Sequence, residues 1–476
     1  MRRPVTTNHP LWLNRPSKQR NTAMPTTRTS MSMNTPGRMK HHRLLCVCMV
    51  VCSLTSAPLS AVFAASPAAA ARVLSLDEAL AIAIADNPNL AQMQARYEAR
   101  AAIPSQVGTL PDPVLSFNAM NLPTDTFNTG QEPMTQMQVG ISQRFPFPGK
   151  LALHEQESSF EAEAALNNVD ETRLRLIRDV RSSWWTLHYL DQALEIVARN
   201  QLLLRQFVEI VRTKYEVGSG LQQDVLLAQL ELSKLLDQKI QLTGIRRAEA
   251  AQLKKLINRP TMGQVRVPTS TNQALPDLAD EATLFARADQ LRPRLAEIRN
   301  RLRAAESRLG LAKKDYYPDF TVGALYGFRR GENAPHIGGD RADFLSVRLS
   351  VNLPIYPTRK RASAVDQRTS EVLAQRYALQ SELNAAYAEI SRATAEYTQA
   401  REAFSLFGTG IIPQARQTVQ SMLAGYQVNE VDFLNLVRSQ VTLFSYETQY
   451  WRSLSVAHQA LARLYAAVGG EVVHEQ

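Results

Sequence analysis

Few side chains in this sequence are spaced for chemistry. Asp77 and Glu78 form an adjacent carboxylate pair of the kind that serves as general acid and base. They also follow Ser75 in the S-x-x-E pattern of a capping box, and acids at the positive end of a helix need no catalytic explanation. His154, His188, His336, His458 and His474 have no metal-ligand spacing. Met120, Met134 and Met137 offer thioethers to soft metal ions, with packing in a strand and its loop as the simpler reading. Trp184-Trp185 reads as a packing wedge on a helix. Arg329, Arg330 and Arg341 could hold lipid phosphates or be solvated loop charge. No Ser/His/Asp set, phosphate-cradling glycine loop or HExxH helix occurs. No cofactor and no catalytic residue are expected.

The charge balance also narrows the function. The chain has 54 Lys and Arg against 44 Asp and Glu, but nine of the bases and none of the acids lie in residues 1–64. The remainder of the chain is almost neutral, so nucleic acid is not an expected partner. Residues 1–64 read as a signal peptide: Arg38, Lys40 and Arg43 precede the apolar run Leu44–Phe63, with small residues before a cleavage point after Ala64. A retained anchor is the alternative, and the residues before Met39 fit an overlong start. The 3 cysteines, Cys46, Cys48 and Cys52, all fall in this segment. Val51 before Cys52 is too large for a lipid-attachment site.

The elements that would position functional groups are written twice. Pro88 and Leu90 in DNPNLAQ match Pro293 and Leu295 in LRPRLAE, and Pro113 in LPDPVLSF matches Pro318 in YYPDFTVG. VGISQRFPFPGK (139–150) matches VRLSVNLPIYPTRK (347–360), and YEVGSGLQQDVLLAQLEL (215–232) matches YQVNEVDFLNLVRSQVTL (426–443). This pattern predicts two copies of one structural unit, at 65–260 and 280–470, with a linker at 261–279 and a tail at 471–476. The first helix, opened by Ser75, is expected to run to about Ile103.

Segments 113–121, 137–145, 319–328 and 344–353 alternate apolar and polar residues. Leu115, Phe117 and Ala119 share a face in the first; Met137, Val139, Ile141 and Phe145 do so in the second. Phe320 to Phe328 and Leu345 to Leu353 repeat the pattern. A strand of period two and this length separates lipid from water. The loops 121–133 and 329–340 are polar and turn-rich. From Lys150 to Tyr215 there is no Pro or Gly, and Val180, Ser183, Leu187, Leu190, Leu194 and Val197 open a heptad run ending at Tyr215. The second copy carries such a run from Leu379 to Ile411, where Gly408, Gly410 and Pro413 should kink or break the helix. Breaks at Gly218–Gly220 and Val428–Glu430 turn each long helix into a hairpin.

Four strands are too few for a lipid-spanning barrel, and an open sheet cannot stand in lipid with unpaired edges. The chain must therefore oligomerise through its strands, and three copies give an even-numbered barrel of twelve. Helices of roughly 100 Å, at 1.5 Å per residue, must then project from it.

With these residues in view, the chain resembles the TolC-type outer membrane efflux family. The resemblance runs from about 74 to 469 and rests on the duplicated Tyr-x-Val-Gly element, the proline before each strand and the exit QRFPFPGK. It implies a mainly α fold with a membrane β-barrel: long antiparallel coiled-coil helices in a duplicated unit, four strands per chain, a homotrimer with a 12-stranded barrel in outer membrane lipid, and an α-helical tunnel in the periplasm. It further implies an exit duct docked to a periplasmic adaptor (membrane fusion) protein and an inner-membrane RND-type transporter. Residues 132–150, EPMTQMQVGISQRFPFPGK, most resemble the heavy-metal cation branch. Organic-compound export is the alternative; a membrane-anchored coiled-coil scaffold and a periplasmic metal-binding protein are rivals of other classes.

The resemblance also assigns a periplasmic tip and gate: Gly218, Ser219, Gly220 and Asp224 from the first copy, Tyr426, Asn429, Asn435 and Arg438 from the second. It implies a hydrogen bond from Tyr426 to Asp224. Members with an acidic ring carry aspartates where this chain has Asn435 and Arg438, so that ring is absent here.

Overall fold

The computed structural model describes residues 72–471; the segment 1–64 expected to be a signal peptide and the tail beyond Glu471 lie outside them. Strand β1 (Arg72–Val73) leads into helices α1 (Leu76–Asp86), α2 (Pro88–Ala101) and α3 (Ile103–Gly108). Next come strands β2 (Val114–Met120) and β3 (Gln136–Phe145), then α4 (Lys150–Glu216) and α5 (Gln222–Leu256). The second copy, after β4 (Val265–Arg266), has α6 (Glu281–Leu291), α7 (Pro293–Lys314), β5 (Phe320–Phe328), β6 (Phe344–Val351), α8 (Ala362–Leu406), α9 (Ile412–Gln427) and α10 (Phe433–Val468).

The single first helix expected up to Ile103 is three helices. Proline restricts the residue before it to extended backbone, and Asn87 adopts ψ 118° while its side chain caps Asn89 and Leu90. Arg292 before Pro293 is extended in the same way, with ψ 115° but no side-chain cap, so the break is part of the duplicated design. The opposite correction applies to α8. At Gly408, Gly410 and Pro413 the helix is not broken: one π-helical turn, Phe407–Ile411, joins α8 to α9, with the Ile412 N–H bonded to the Phe407 carbonyl five residues back. Widening the turn absorbs the donor that Pro413 lacks. In the first copy α4 runs 67 residues without interruption, about 100 Å at 1.5 Å per residue.

The linker expected at 261–279 is mostly irregular, but it is anchored. β4 pairs in parallel with β1, the Arg246 guanidinium bonds the Val265 carbonyl, and Tyr397 Oη donates to the Pro276 carbonyl. The two-residue β1–β4 ladder carries too little periodicity to be read from sequence. Three apolar clusters stack along the helices. One lies around Trp184, Trp185, Leu187 and Leu253, one around Leu284, Ile390, Tyr397 and Leu464, and one at the helical tip.

The four long strands form one antiparallel sheet in the order β2-β3-β5-β6. Its register aligns Leu115, Ile141, Ala324 and Val347 in one row and Phe117, Val139, Tyr326 and Leu345 in the next. The apolar stripes of all four strands thus fall on one face. The other face carries Ser116, Asn118, Gln138, Ser142, Gly323, Ser346, Arg348 and Ser350. Among the described residues no helix is long and apolar enough to cross a membrane.

At the end of the sheet nearest the helices, Asp319 gathers three donors. Arg144 Nη2 lies 2.7 Å from it, Lys150 Nζ 3.0 Å and the Phe147 backbone N–H 3.0 Å. Burial alone would raise this carboxyl, but the three bonds outweigh it and hold Asp319 at about 2. One side chain thereby fixes β3, the Pro146–Pro148 corner and the start of α4 against β5. At the far end Arg341 joins the two loops, donating from Nη1 to the carbonyls of Gly130, Glu132 and Arg330, while Arg329 donates to the Pro133 carbonyl. These two arginines are therefore structural ties between loops, and Arg330 is exposed.

Val347→Lys or Leu349→Lys, in mid-strand on the apolar face, should cost about 2–4 kcal/mol and impair membrane assembly. Ser346→Lys and Ser350→Lys should assemble normally; heat-modifiable migration in detergent separates the two outcomes, and equal effects would contradict the register. Asp319→Asn should destabilise the sheet–helix junction by about 1.5–3 kcal/mol, the range for a charge-assisted hydrogen bond. The folded carboxyl titrates below its ordinary value, so its contribution is complete above pH ~4 and vanishes as pH falls through ~2. Denaturation profiles of wild type and variant should converge over that interval.

Candidate functional site

The two hairpin turns at the far end of the long helices have the same backbone design. In the first, the Ser219 N–H bonds the Lys214 carbonyl at 2.8 Å and the Gly218 N–H bonds the Tyr215 carbonyl at 3.0 Å. In the second, the Glu430 N–H bonds the Gly425 carbonyl at 2.9 Å and the Asn429 N–H the Tyr426 carbonyl at 3.3 Å. Gly218 and Asn429 occupy equivalent left-handed positions, with φ 74° and 61°. Asparagine is among the few residues that accept that conformation, which explains how Asn429 replaces a glycine.

A second glycine changes sides between the copies. A Cβ on Gly220 would come within 2.9 Å of Lys214 Cβ. In the second turn the crowded pair is Gly425 and Val431: a Cβ on Gly425 would come within 2.6 Å of Val431 Cγ2. One member of the pair must lack a side chain. In the first copy it is Gly220, which leaves position 214 free to carry a lysine.

Lys214 uses that freedom to reach the other hairpin. Its Nζ donates to Asn429 Oδ1 at 2.8 Å and to the Tyr426 carbonyl at 3.2 Å, and lies 4.2 Å from the centroid of the Tyr426 ring. Tyr426 is buried and packs on Phe433, which meets Phe207 of α4 edge-on. Leu204, Val211, Ala228, Leu436 and Val437 complete this core, so both hairpins share one hydrophobic centre at the tip.

The expected bond between Asp224 and Tyr426 is not made. Asp224 sits in the first turn of α5, where the helix end and the Leu221 N–H favour its charge. Burial, then the neighbouring Asp432 carboxylate, nonetheless push its pKa up, with Leu221 and Lys214 opposing. Tyr426 is also shifted up, by burial first and by the Asp224 charge second. Tyr426 thus senses the Asp224 charge without a hydrogen bond to it. Tyr426 instead spends its ring and its carbonyl on Lys214. Asn435 and Arg438 are exposed one turn apart on α10, and Ser219 Oγ returns to the Lys214 carbonyl. Lys214, through its contacts, and Asp432, through its charge, shape the tip, and the sequence reasoning misses both. The signal for Lys214 lies in the repeat itself, where a lysine faces a glycine in otherwise parallel turns.

Elsewhere the sequence candidates scatter. Met120 accepts from Gln136 and Gln138 on the polar face of the sheet, Met137 lies on the apolar face, and Met134 is in the loop, so the three sulfurs do not converge. Trp184 donates to the Leu74 carbonyl, and Trp185 stacks on His458 at 3.6 Å. Burial and then His188 hold His458 down at about 4; burial also lowers His188, which bonds the Pro268 carbonyl. These rings form a neutral packing layer. Among the described residues no group of three His, Cys, Asp or Glu could hold a metal ion.

Lys214→Met should loosen the joint between the hairpins, speeding hydrogen exchange at 214–221 and 426–431 by roughly fivefold or more for a loss of about 1 kcal/mol. Tyr426→Phe keeps the ring and the carbonyl and should exchange like wild type. A larger effect for Tyr426→Phe than for Lys214→Met would restore the carboxylate–phenol bond as the holding contact.

The sequence profile of the outer membrane efflux protein family matches residues 79–259 and again 284–470, one stretch in each copy. Nodulation protein T of Rhizobium leguminosarum bv. trifolii is 23% identical over 315 residues, spanning 64% of this chain and 66% of that protein, just under two thirds of its length. Among solved structures, the outer-membrane channel OprN superposes with a TM-score of 0.70 at 19% identity, covering 83% of this chain and 90% of its own. The open state of the MtrE outer membrane channel of Neisseria gonorrhoeae does so with 0.70 at 17% identity, covering 84% and 90%. Structural likeness at such identities establishes the fold, and the profile establishes descent in both halves. The duplicated strands, the long hairpins and these matches agree: the chain belongs to the outer membrane efflux protein family.

Proposed function

We propose that three copies of this chain close their sheets into a twelve-stranded barrel, and that the helices continue it as a periplasmic tunnel. The observation that carries this reading is the sheet itself. It has one face that is apolar except for Gln143, one mainly polar face, and outer edges on β2 and β6 that need partners in lipid. Leu226, Leu230, Ile240 and Ile245 are exposed along α5, a surface suited to burial against a neighbouring copy.

In this reading the protein is the passive exit duct of a tripartite pump. A periplasmic adaptor engages the helical tip and an inner-membrane RND-type transporter supplies the energy. The hairpin turns at Gly218–Gly220 and Val428–Glu430 form the gate, with Lys214 joining the two hairpins of each protomer. The resemblance of residues 132–150 supports heavy-metal cations as cargo; organic compounds are the alternative class.

Unboiled samples of the purified protein should migrate as heat-sensitive trimers, and these should conduct in planar bilayers. Trimers without conductance would favour the coiled-coil scaffold. Deletion of the gene should sensitise cells to divalent metal salts if the cargo is metal. Sensitivity to dyes and antibiotics alone would overturn the metal assignment and leave the duct in place.

A further inference from the structure

We infer that Arg348 makes the barrel lumen selective for anions, a role that rests on the trimeric duct proposed above. The four strands carry two charged residues, Arg144 and Arg348, and no acid. Both lie on the polar face. Arg144 is neutralised by Asp319 at 2.7 Å, whereas Arg348 has no ion-pair or hydrogen-bond partner among the described residues.

Its surroundings leave the charge open. Arg348 pairs across the ladder with Gly323, which pairs in turn with Ser142, and its neighbours on the same face are Ser346 and Ser350. Leu325, opposite Ser346, is the bulky neighbour on this face, and it leaves Arg348 exposed. The nearest carboxylates along the wall are distant and engaged. Asp343 lies five residues up β6, about 17 Å at ~3.4 Å per residue, and accepts from Tyr326 Oη and the Arg329 N–H. Asp319 is level with Asn352, four residues down and about 14 Å away, and is held by Arg144 and Lys150. Both separations exceed the ~8 Å screening length of physiological salt.

In a threefold barrel the residue recurs at one level, giving three uncompensated positive charges around a water-filled passage with a low-dielectric wall. Such a wall focuses the field, and rings of arginine or lysine are how pores favour anions. The permeant class is therefore small anions and organic solutes bearing carboxylate or phosphate groups. A metal ion carried by this duct would cross most readily as an anionic complex.

The test is the reversal potential of the purified trimer in a planar bilayer under a KCl gradient. Wild type should favour chloride over potassium by roughly two- to tenfold, the low end of what a focused single-sign field produces. Arg348→Gln should bring the ratio close to unity and Arg348→Glu should reverse its sign. Should Arg348→Glu fail to assemble, Ser346→Arg combined with Arg348→Gln moves the charge one pleat along the same face and should restore the chloride preference. A conducting wild type that prefers potassium, or a reversal potential unchanged by Arg348→Gln, overturns the inference while leaving the duct intact. A wild-type trimer that does not conduct overturns the duct, and the inference with it.

Discussion

Backbone groups in lipid must find partners within the protein, and the architecture of this chain derives from that demand. The sheet pairs β3 and β5 on both sides and leaves one edge each on β2 and β6. Its apolar face repels water, yet its open edges exclude it from hydrocarbon as a single copy. Closure by further copies resolves the conflict. Closure in turn places the polar face inward, and so turns the choice of residues at positions such as Ser142, Gly323 and Arg348 into a choice of lumen chemistry. The helices inherit the same geometry. They leave the sheet through the corner that Asp319 holds, so sheet and helices are coupled there through its charged contacts and the stack of Phe147 on Tyr317.

The sheet is legible in the sequence because its signal is local. Alternation fixes the face of each residue, and the four segments read from it lie within one or two residues of β2, β3, β5 and β6. Helix ends are less legible where a local rule competes with a long pattern. The apolar residues between Leu76 and Ile103 suggest one helix, but Pro88 forces Asn87 out of helical backbone. At the tip the glycine positions are readable and the contacts are not. Asp224 comes close enough for its charge to raise the Tyr426 pKa, yet Tyr426 is bonded through its carbonyl, an acceptor that no side-chain pattern reveals.

The repeat is more informative where its copies differ than where they agree. The pair at Lys214 and Gly220 and the pair at Gly425 and Val431 solve the same crowding with the glycine on opposite sides. The exchange is neutral for the turn and consequential for the surface, since only the first copy gains a side chain able to reach the other hairpin. Basic residues recur along the path: Lys214 and Arg438 near the tip, Arg348 in the wall. Asp224 is drawn to Lys214 and repelled by Asp432.

The two long arms of each protomer also differ in stiffness. The first, α4, is one unbroken rod, whereas the second changes from α8 to α9 through the π-helical turn at Phe407–Ile411. A widened turn is where a helix bends most easily. A load applied at the tip is therefore shared unequally. The first arm has the build of a strut, and the second that of a jointed lever with its elbow at Phe407–Ile411.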